Sequence, residues 1–432
     1  MKYYSLNKQS PVVDFAQATI QGQAPDKGLY FPETIPTLPK GFIDHIQQYN
    51  KIEIGITVML PYIGNSMPLQ QLEKIIEETI NFPFPLIPIT PSIHALELFH
   101  GPTLAFKDVG ARFMSRSLAY FNRNNSKPVT VLVATSGDTG GAVANGFLGV
   151  QGVEVIILFP KNKVSKVQEL QLTTQGNNIT ALEIEGNFDD CQAMVKDAFI
   201  DKDLQQHYTL TSANSINVAR WLPQQLYYFY AYQQWQQQLP PVISVPSGNF
   251  GNICAAILAH ESGLPVQHFI AACNSNKVVT DYLSNGIYQP KKAVPTFSNA
   301  MDVGNPSNFI RILEIFHQSF QTLKNKISSY SINDDTTLQT IQEVYQQHHY
   351  LLDPHGAVAF AAINQYLQQH PNLKGYIAAT AHPVKFPDVV KKATQIEVPI
   401  PESIQDLFSK PQNSTVLPAH FSALKEFLLN RK

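Results

Sequence analysis

The sequence is poor in the residues that would tie it to disulfides, metals or polyanions. Three cysteines, Cys191, Cys254 and Cys273, are spread over 432 residues. They form neither a disulfide framework nor a metal-binding cluster, and they suit a reducing compartment. Thirteen histidines are scattered without HExxH or His/Cys spacing, so no metal site is expected. Charged residues make up 15% of the chain and the formal net charge is −2. No overall field draws in nucleic acid or an anionic membrane, so an anionic ligand has to be held by local donors. The longest dense apolar runs, such as Val153–Phe159, have strand length and fall short of a membrane span. The start, Met1-Lys2-Tyr3-Tyr4-Ser5, lacks the apolar core of a signal peptide. A cytoplasmic protein is expected. GxGxxG and Gly-Lys-Ser/Thr are missing as well, which excludes the dinucleotide fingerprint and the Walker loop.

Hydrophobic residues at 44% are normal for a globular enzyme, and the length suggests two or three domains. From about residue 129, strand-like and helix-like segments alternate. Val129–Ala134, Val153–Phe159, Ile179–Ile184, Val242–Val245, Phe269–Ala272 and Tyr376–Ala379 read as short buried strands. Between them, Lys163–Thr174 and Phe188–Ile200 read as helices, as does an Ala/Gly-rich stretch to about Val150. The alternation predicts an α/β fold of open, mostly parallel twisted sheets flanked by helices. Before it, the chain has Gly/Pro punctuation, a helical stretch near Leu69–Ile80 and an extended connector at Phe82–Pro88, where each proline pushes its predecessor out of the helical region. The expected division is an amino-terminal domain over 1–85, a smaller α/β domain over 86–210 and a larger one over 211–432. The run Gln233–Gln238 follows an aromatic helical stretch and reads as a solvated helix end.

In parallel sheets, ligands sit beyond the carboxyl ends of strands, and three loops there carry chemistry. Thr135-Ser136-Gly137-Asp138-Thr139-Gly140-Gly141 combines sharp-turning small residues with hydroxyls at a helix start, a natural carboxylate site. The competing reading is a plain turn capped by Asp138 or Thr139. Pro246-Ser247-Gly248-Asn249-Phe250-Gly251-Asn252 has two glycines permitting close approach of a phosphate to a helix amino end. Without nucleotide motifs, it points to a phosphorylated cofactor. Ala379-Thr380-Ala381-His382-Pro383-Val384-Lys385-Phe386 places a hydroxyl at a strand end, with His382 reading as structural. Upstream, His100-Gly101-Pro102-Thr103-Leu104-Ala105-Phe106-Lys107-Asp108 sets a lysine behind an apolar tripeptide. Burial would disfavour its charged form, as a Schiff-base lysine requires. Alone, the stretch better suits a surface lysine with Asp108 capping a helix over Val109–Phe121; the company of the other loops favours the Schiff-base reading.

HGPTLAFKD, ATSGDTGGA, PSGNFGN and ATAHPVKF, in that order, resemble the motifs of the threonine synthase family, pyridoxal-phosphate enzymes of the tryptophan-synthase-β-like group (fold type II). Asp14-Phe15-Ala16 through Gly28-Leu29-Tyr30-Phe31-Pro32-Glu33 is similar to the family's amino-terminal signature, and Asn214-Ser215-Ile216-Asn217 fits too. The likeness spans about residues 4–390. It departs at Val218-Ala219-Arg220-Trp221, where an aromatic would be expected directly after Asn217.

The resemblance implies pyridoxal 5'-phosphate bound covalently by Lys107, with Gly248, Asn249, Phe250, Gly251 and Asn252 cradling its phosphate and Thr380 facing its pyridine nitrogen. Thr135, Ser136, Asp138 and Thr139 would lie near the substrate carboxylate, Asp138 facing elsewhere or paired. The implied reaction turns O-phospho-L-homoserine and water into L-threonine and phosphate, with the Lys107 amine as general base. Arg112, Arg220 and Lys385 are candidates for the substrate phosphate. A bulky residue at Gly248 or Gly251 would intrude on the cofactor phosphate. The family branch with this long amino-terminal region implies a monomer. Rival functions are a related fold type II lyase (an O-phosphohomoserine phospho-lyase or serine/threonine dehydratase) and a non-catalytic ligand-binding homologue.

Overall fold

The computed structural model describes residues 1–125 and 127–431. The chain divides into two compact units, each assembled from separate segments. One holds Met1, Phe31–Phe106 and Trp221–Pro399; the other holds Lys2–Tyr30, Lys107–Arg220 and Ile400–Lys432. Residues 1–85 are thus shared between the units, and the peptide bond from Phe106 to Lys107 is a crossing point.

The first unit is built on six strands in the order Ile327–Ser331, His268–Cys273, Val242–Pro246, Gly375–Ala379, Ile93–Glu97 and Leu86–Pro88. All neighbours are parallel except the last pair. Leu86–Pro88 lies inside the expected connector; as an antiparallel edge strand it tolerates prolines, because its outer side has no ladder partner to serve. The helix Pro354–Gln369 lays Ala357, Val358, Ala361 and Ile363 into a core with Val242, Ile270 and Ile377. Helix Gly251–Glu261 also packs on the sheet, and Gln225–Gln234 packs on that helix. The glutamines at its end are only partly solvated, since Gln233 Nε2 donates to the Tyr49 carbonyl at 2.6 Å and Gln234 Nε2 to that of Phe84 at 2.9 Å. Aromatic rings fill the helix's remaining surface: Phe84 stacks on Tyr230 at 5.4 Å.

The second unit has a five-stranded, wholly parallel sheet in the order Thr415–Pro418, Ile179–Glu185, Val153–Pro160, Val129–Ala134 and Thr209–Thr211. Leu132, Ile156, Leu158, Leu182 and Ile184 share a core with Met194, Val195, Leu424 and Leu428 of the helices Phe188–Ile200 and Phe421–Asn430. The intervening residues Val131, Val133, Val155 and Ile157 are equally buried, so both faces are covered, which is why these strands read as unbroken apolar runs. Helices Lys107–Asn122 and Asp138–Phe147 pack on Val153–Pro160 and on each other. Helix starts carry side-chain caps where the sequence offers them: Asn187 with Asp190 and Ser165 with Gln168 form reciprocal capping boxes. Among the described residues, no helix is long and apolar enough to cross a membrane.

Candidate active site

In the first unit, the loop after Val242–Pro246 turns through Phe250, which adopts a left-handed conformation (φ 62°) just before helix Gly251–Glu261. A left-handed residue at the entry to a right-handed helix turns neighbouring amides toward one side, as in an anion nest. Among the described residues, the backbone N–H groups of Gly248, Asn249, Phe250, Gly251 and Asn252 meet no protein acceptor. Five consecutive donors at the positive end of an 11-residue helix suit a phosphate. The asparagine side chains serve the loop instead: Asn252 Nδ2 donates to the Pro246 carbonyl at 2.8 Å, and Asn249 Oδ1 accepts from Ser307 N and Oγ at 2.7 and 2.8 Å.

Below this loop lies a brace that sequence reasoning missed. Asn308 Nδ2 donates to the Asn249 carbonyl at 3.1 Å, and Arg311 Nη1 donates to Asn308 Oδ1 at 2.7 Å. The Arg311 guanidinium lies 4.2 Å from the centre of the Trp221 ring, both residues fully buried. Burial lowers the Arg311 pKa to about 10, still a cation at neutral pH. Trp221, at the point where the sequence departs from the family pattern, therefore packs under the support of the Gly248–Asn252 loop.

Thr380 leaves the neighbouring strand. Its register, Ser244 beside Ile377, places Pro246 beside Ala379 when continued, so the two loops emerge side by side. The Thr380 hydroxyl has no protein partner among the described residues, and the residue is only 6% exposed, so it is available to a ring nitrogen. The residues preceding the lysine are pinned to this loop: Phe106 N donates to the Thr380 carbonyl at 2.9 Å, His382 N donates to the Leu104 carbonyl at 3.1 Å, and Ala105 bridges Ala381. The Tyr227 hydroxyl donates to the Phe106 carbonyl, while Leu104 takes φ 56° to make the turn. His382 Nδ1 accepts from Val384 N at 3.1 Å, capping the turn Pro383–Lys385. Burial and the charge of His100 hold its imidazole below the usual range. Lys385, wholly buried, donates from Nζ to the Thr103 carbonyl at 2.9 Å.

Lys107 is the next residue in the chain and opens the 16-residue helix Lys107–Asn122 in the second unit. The expected start at Val109 with Asp108 as cap is corrected: Asp108 lies in the first turn and is buried. Arg220 Nη1 donates to the Lys107 carbonyl at 2.8 Å, fixing the first turn. A Cβ added at Gly110 would stand 2.6 Å from the Arg220 carbonyl oxygen. Gly110→Ala is expected to destabilise the fold by about 1–3 kcal/mol through overpacking, read from the urea unfolding midpoint.

The Thr135–Gly141 loop leaves the strand Val129–Ala134 in the same unit. Thr135 Oγ1 accepts from Gly137 N and Gly140 N at 3.0 and 2.8 Å, closing the turn on itself. The helix starts at Asp138, preceded by Gly137 at φ 135°, so neither Asp138 nor Thr139 is the cap. Asp138 Oδ1 accepts from Gln168 Nε2 at 3.0 Å, and both residues are buried. Gln168, which sequence reasoning overlooked, was visible only as the fourth residue of a Ser-x-x-Gln cap. Among the described residues, the amides and hydroxyls of Ser136 and Thr139 have no protein partner, leaving them as donors for a carboxylate.

Parallel sheets that offer an unclaimed amide nest at a strand end, with no nucleotide-binding signature, suit a phosphorylated ligand that is not a nucleotide. Residues 87–380 match the family model described as "Pyridoxal-phosphate dependent enzyme". Residues 2–80 match "Threonine synthase N terminus", and residues 356–428 match "Threonine synthase, C-terminal". The chain is 42% identical over 434 residues to the threonine synthase of Buchnera aphidicola subsp. Acyrthosiphon pisum, covering 100% of both chains. It superposes on the solved threonine synthase of Escherichia coli with a TM-score of 0.93 and 41% identity, covering 100% of each. The pyridoxal-phosphate-bound threonine synthase of Brucella melitensis gives a TM-score of 0.91 at 34% identity, covering 99% of this chain and 98% of that one. The chain belongs to the threonine synthase family. It is a pyridoxal-phosphate-dependent lyase of fold type II, and its cofactor is pyridoxal 5'-phosphate.

Proposed function

We propose that the chain converts O-phospho-L-homoserine and water to L-threonine and inorganic phosphate, in the cytoplasm and as a monomer. The observation that carries this reading is the full-length likeness to threonine synthases, amino- and carboxyl-terminal family segments included. Bound pyridoxal phosphate supplies an electron sink that stabilises negative charge on substrate carbon.

The protein's own residues do the rest. Lys107 is the covalent anchor, and its amine then takes the proton from the substrate Cα. Amides of Gly248, Asn249, Phe250, Gly251 and Asn252 would hold the cofactor phosphate, and the Thr380 hydroxyl would serve the ring nitrogen. A hydroxyl there would not hold that nitrogen strongly protonated, so the bound group would supply a moderate sink. Ser136 and Thr139 orient the substrate carboxylate, in a loop whose shape Thr135 and Asp138 maintain. Loss of a second proton from Cβ would let phosphate leave Cγ; Cγ then gains a proton to become the methyl group, water adds its oxygen at Cβ and gives its spare proton to phosphate, and a proton returns to Cα. Arg220 and Lys385 donate to backbone carbonyls beside the lysine motif, which supports a bracing role for both. Incubating purified protein with O-phospho-L-homoserine is expected to give threonine and phosphate in equal amounts; 2-oxobutyrate with ammonia would overturn the assignment.

A further inference from the structure

Behind the phosphate loop lies a buried Asp–His pair that the reaction does not use. Asp353 caps helix Pro354–Gln369, accepting from Gly356 N at 2.8 Å and His355 N at 3.1 Å. Its Oδ2 also lies 2.7 Å from His355 Nδ1, and both residues are about 3% exposed. A carboxylate only accepts, so Nδ1 carries the hydrogen. In the neutral ring this makes Nε2 an acceptor, and it takes the Ala300 N–H at 3.2 Å. Ala300 sits in the short turn Asn299–Met301, against which Gly248 is pressed: a Cβ on Gly248 would lie 2.6 Å from Met301 Cα and 3.0 Å from the Ala300 oxygen. The other side of the imidazole meets the Phe386 ring at 4.8 Å, six residues after Thr380.

We propose that His355, oriented by Asp353, is a positioning residue for the cofactor's phosphate. It holds the Asn299–Met301 turn at the height that seats Gly248, and so sets where the unclaimed amides of Gly248–Asn252 point. Asp353 fixes the tautomer: were the hydrogen on Nε2, two donors would face each other at Ala300 and the turn would retreat. The inference rests on the assignment of this loop to the cofactor phosphate, and its test separates the two.

The test compares binding of pyridoxal phosphate and of pyridoxal, which lacks the phosphate, to cofactor-free full-length protein. His355→Gln places an amide oxygen near the position of Nε2 and keeps an acceptor for Ala300. His355→Asn is too short to reach it, although it can still meet Asp353. His355→Asn is expected to weaken pyridoxal phosphate about 10-fold or more, the size of losing one buried hydrogen bond, with pyridoxal affinity unchanged. His355→Gln is expected to stay within about 3-fold of the unaltered protein. Equal affinities in both variants, or equal losses for both ligands, would overturn the proposal, the latter marking a merely structural residue. If the unaltered protein bound pyridoxal as tightly as pyridoxal phosphate, the loop assignment itself would fall. Asp353→Asn, whose amide can donate to Nδ1 and drive the hydrogen to Nε2, is expected to reproduce the phosphate-selective loss.

Discussion

Lys107→Ala is expected to lower turnover by at least about 10³-fold, since it removes both the covalent anchor and the base. The same change should leave the fold intact. Lys107 opens a helix, and alanine is the best helix former. The tripeptide before it is held by backbone bonds to the Thr380 loop, and the Arg220 bond goes to the Lys107 carbonyl, which alanine retains. Circular dichroism should therefore match the unaltered protein, while the visible imine absorbance disappears on purification. Retention of substantial activity would remove Lys107 from its role.

The second large effect is expected at Gly248. From sequence, a bulky side chain there would occupy the space of the phosphate. The structure gives a different cause: the added Cβ meets backbone, Met301 Cα at 2.6 Å and the Ala300 oxygen at 3.0 Å. No rotamer relieves a backbone clash, so the loop itself has to move, and its five amides move with it. Gly248→Val is expected to weaken pyridoxal phosphate affinity by about 10- to 100-fold, corresponding to an overpacking strain of about 1–3 kcal/mol. Pyridoxal binding should change far less. An unchanged titration curve for pyridoxal phosphate would show that these amides do not hold the phosphate.

The positions of the three strand-end loops were legible in the sequence because each follows a short run of apolar residues. Val129–Ala134, Val242–Pro246 and Gly375–Ala379 are buried on both faces, so their strand signal is unbroken. The strand Thr415–Pro418 went unread for the opposite reason: it is a mostly exposed edge with no apolar pattern. The fixtures that hold the site were equally silent. Lys385 reaches a carbonyl 282 residues away, and Tyr227 one 121 residues away, and contacts of that span leave no local periodicity. Gln168, Arg311 and His355 stand in no local motif that names their partners; only folding reveals that they close on Asp138, Asn308 and Ala300. The division into units was hidden too, because each is woven from distant segments and the chain crosses between them at Phe106–Lys107.

The claim on which the rest depends is a covalent bond between one side chain and the cofactor aldehyde. Reducing the holoenzyme with borohydride, digesting it and mapping the modified peptide by mass spectrometry tests that claim directly. The predicted result is a single stoichiometric pyridoxyl adduct on Lys107. An adduct on another lysine, or none, would contradict it.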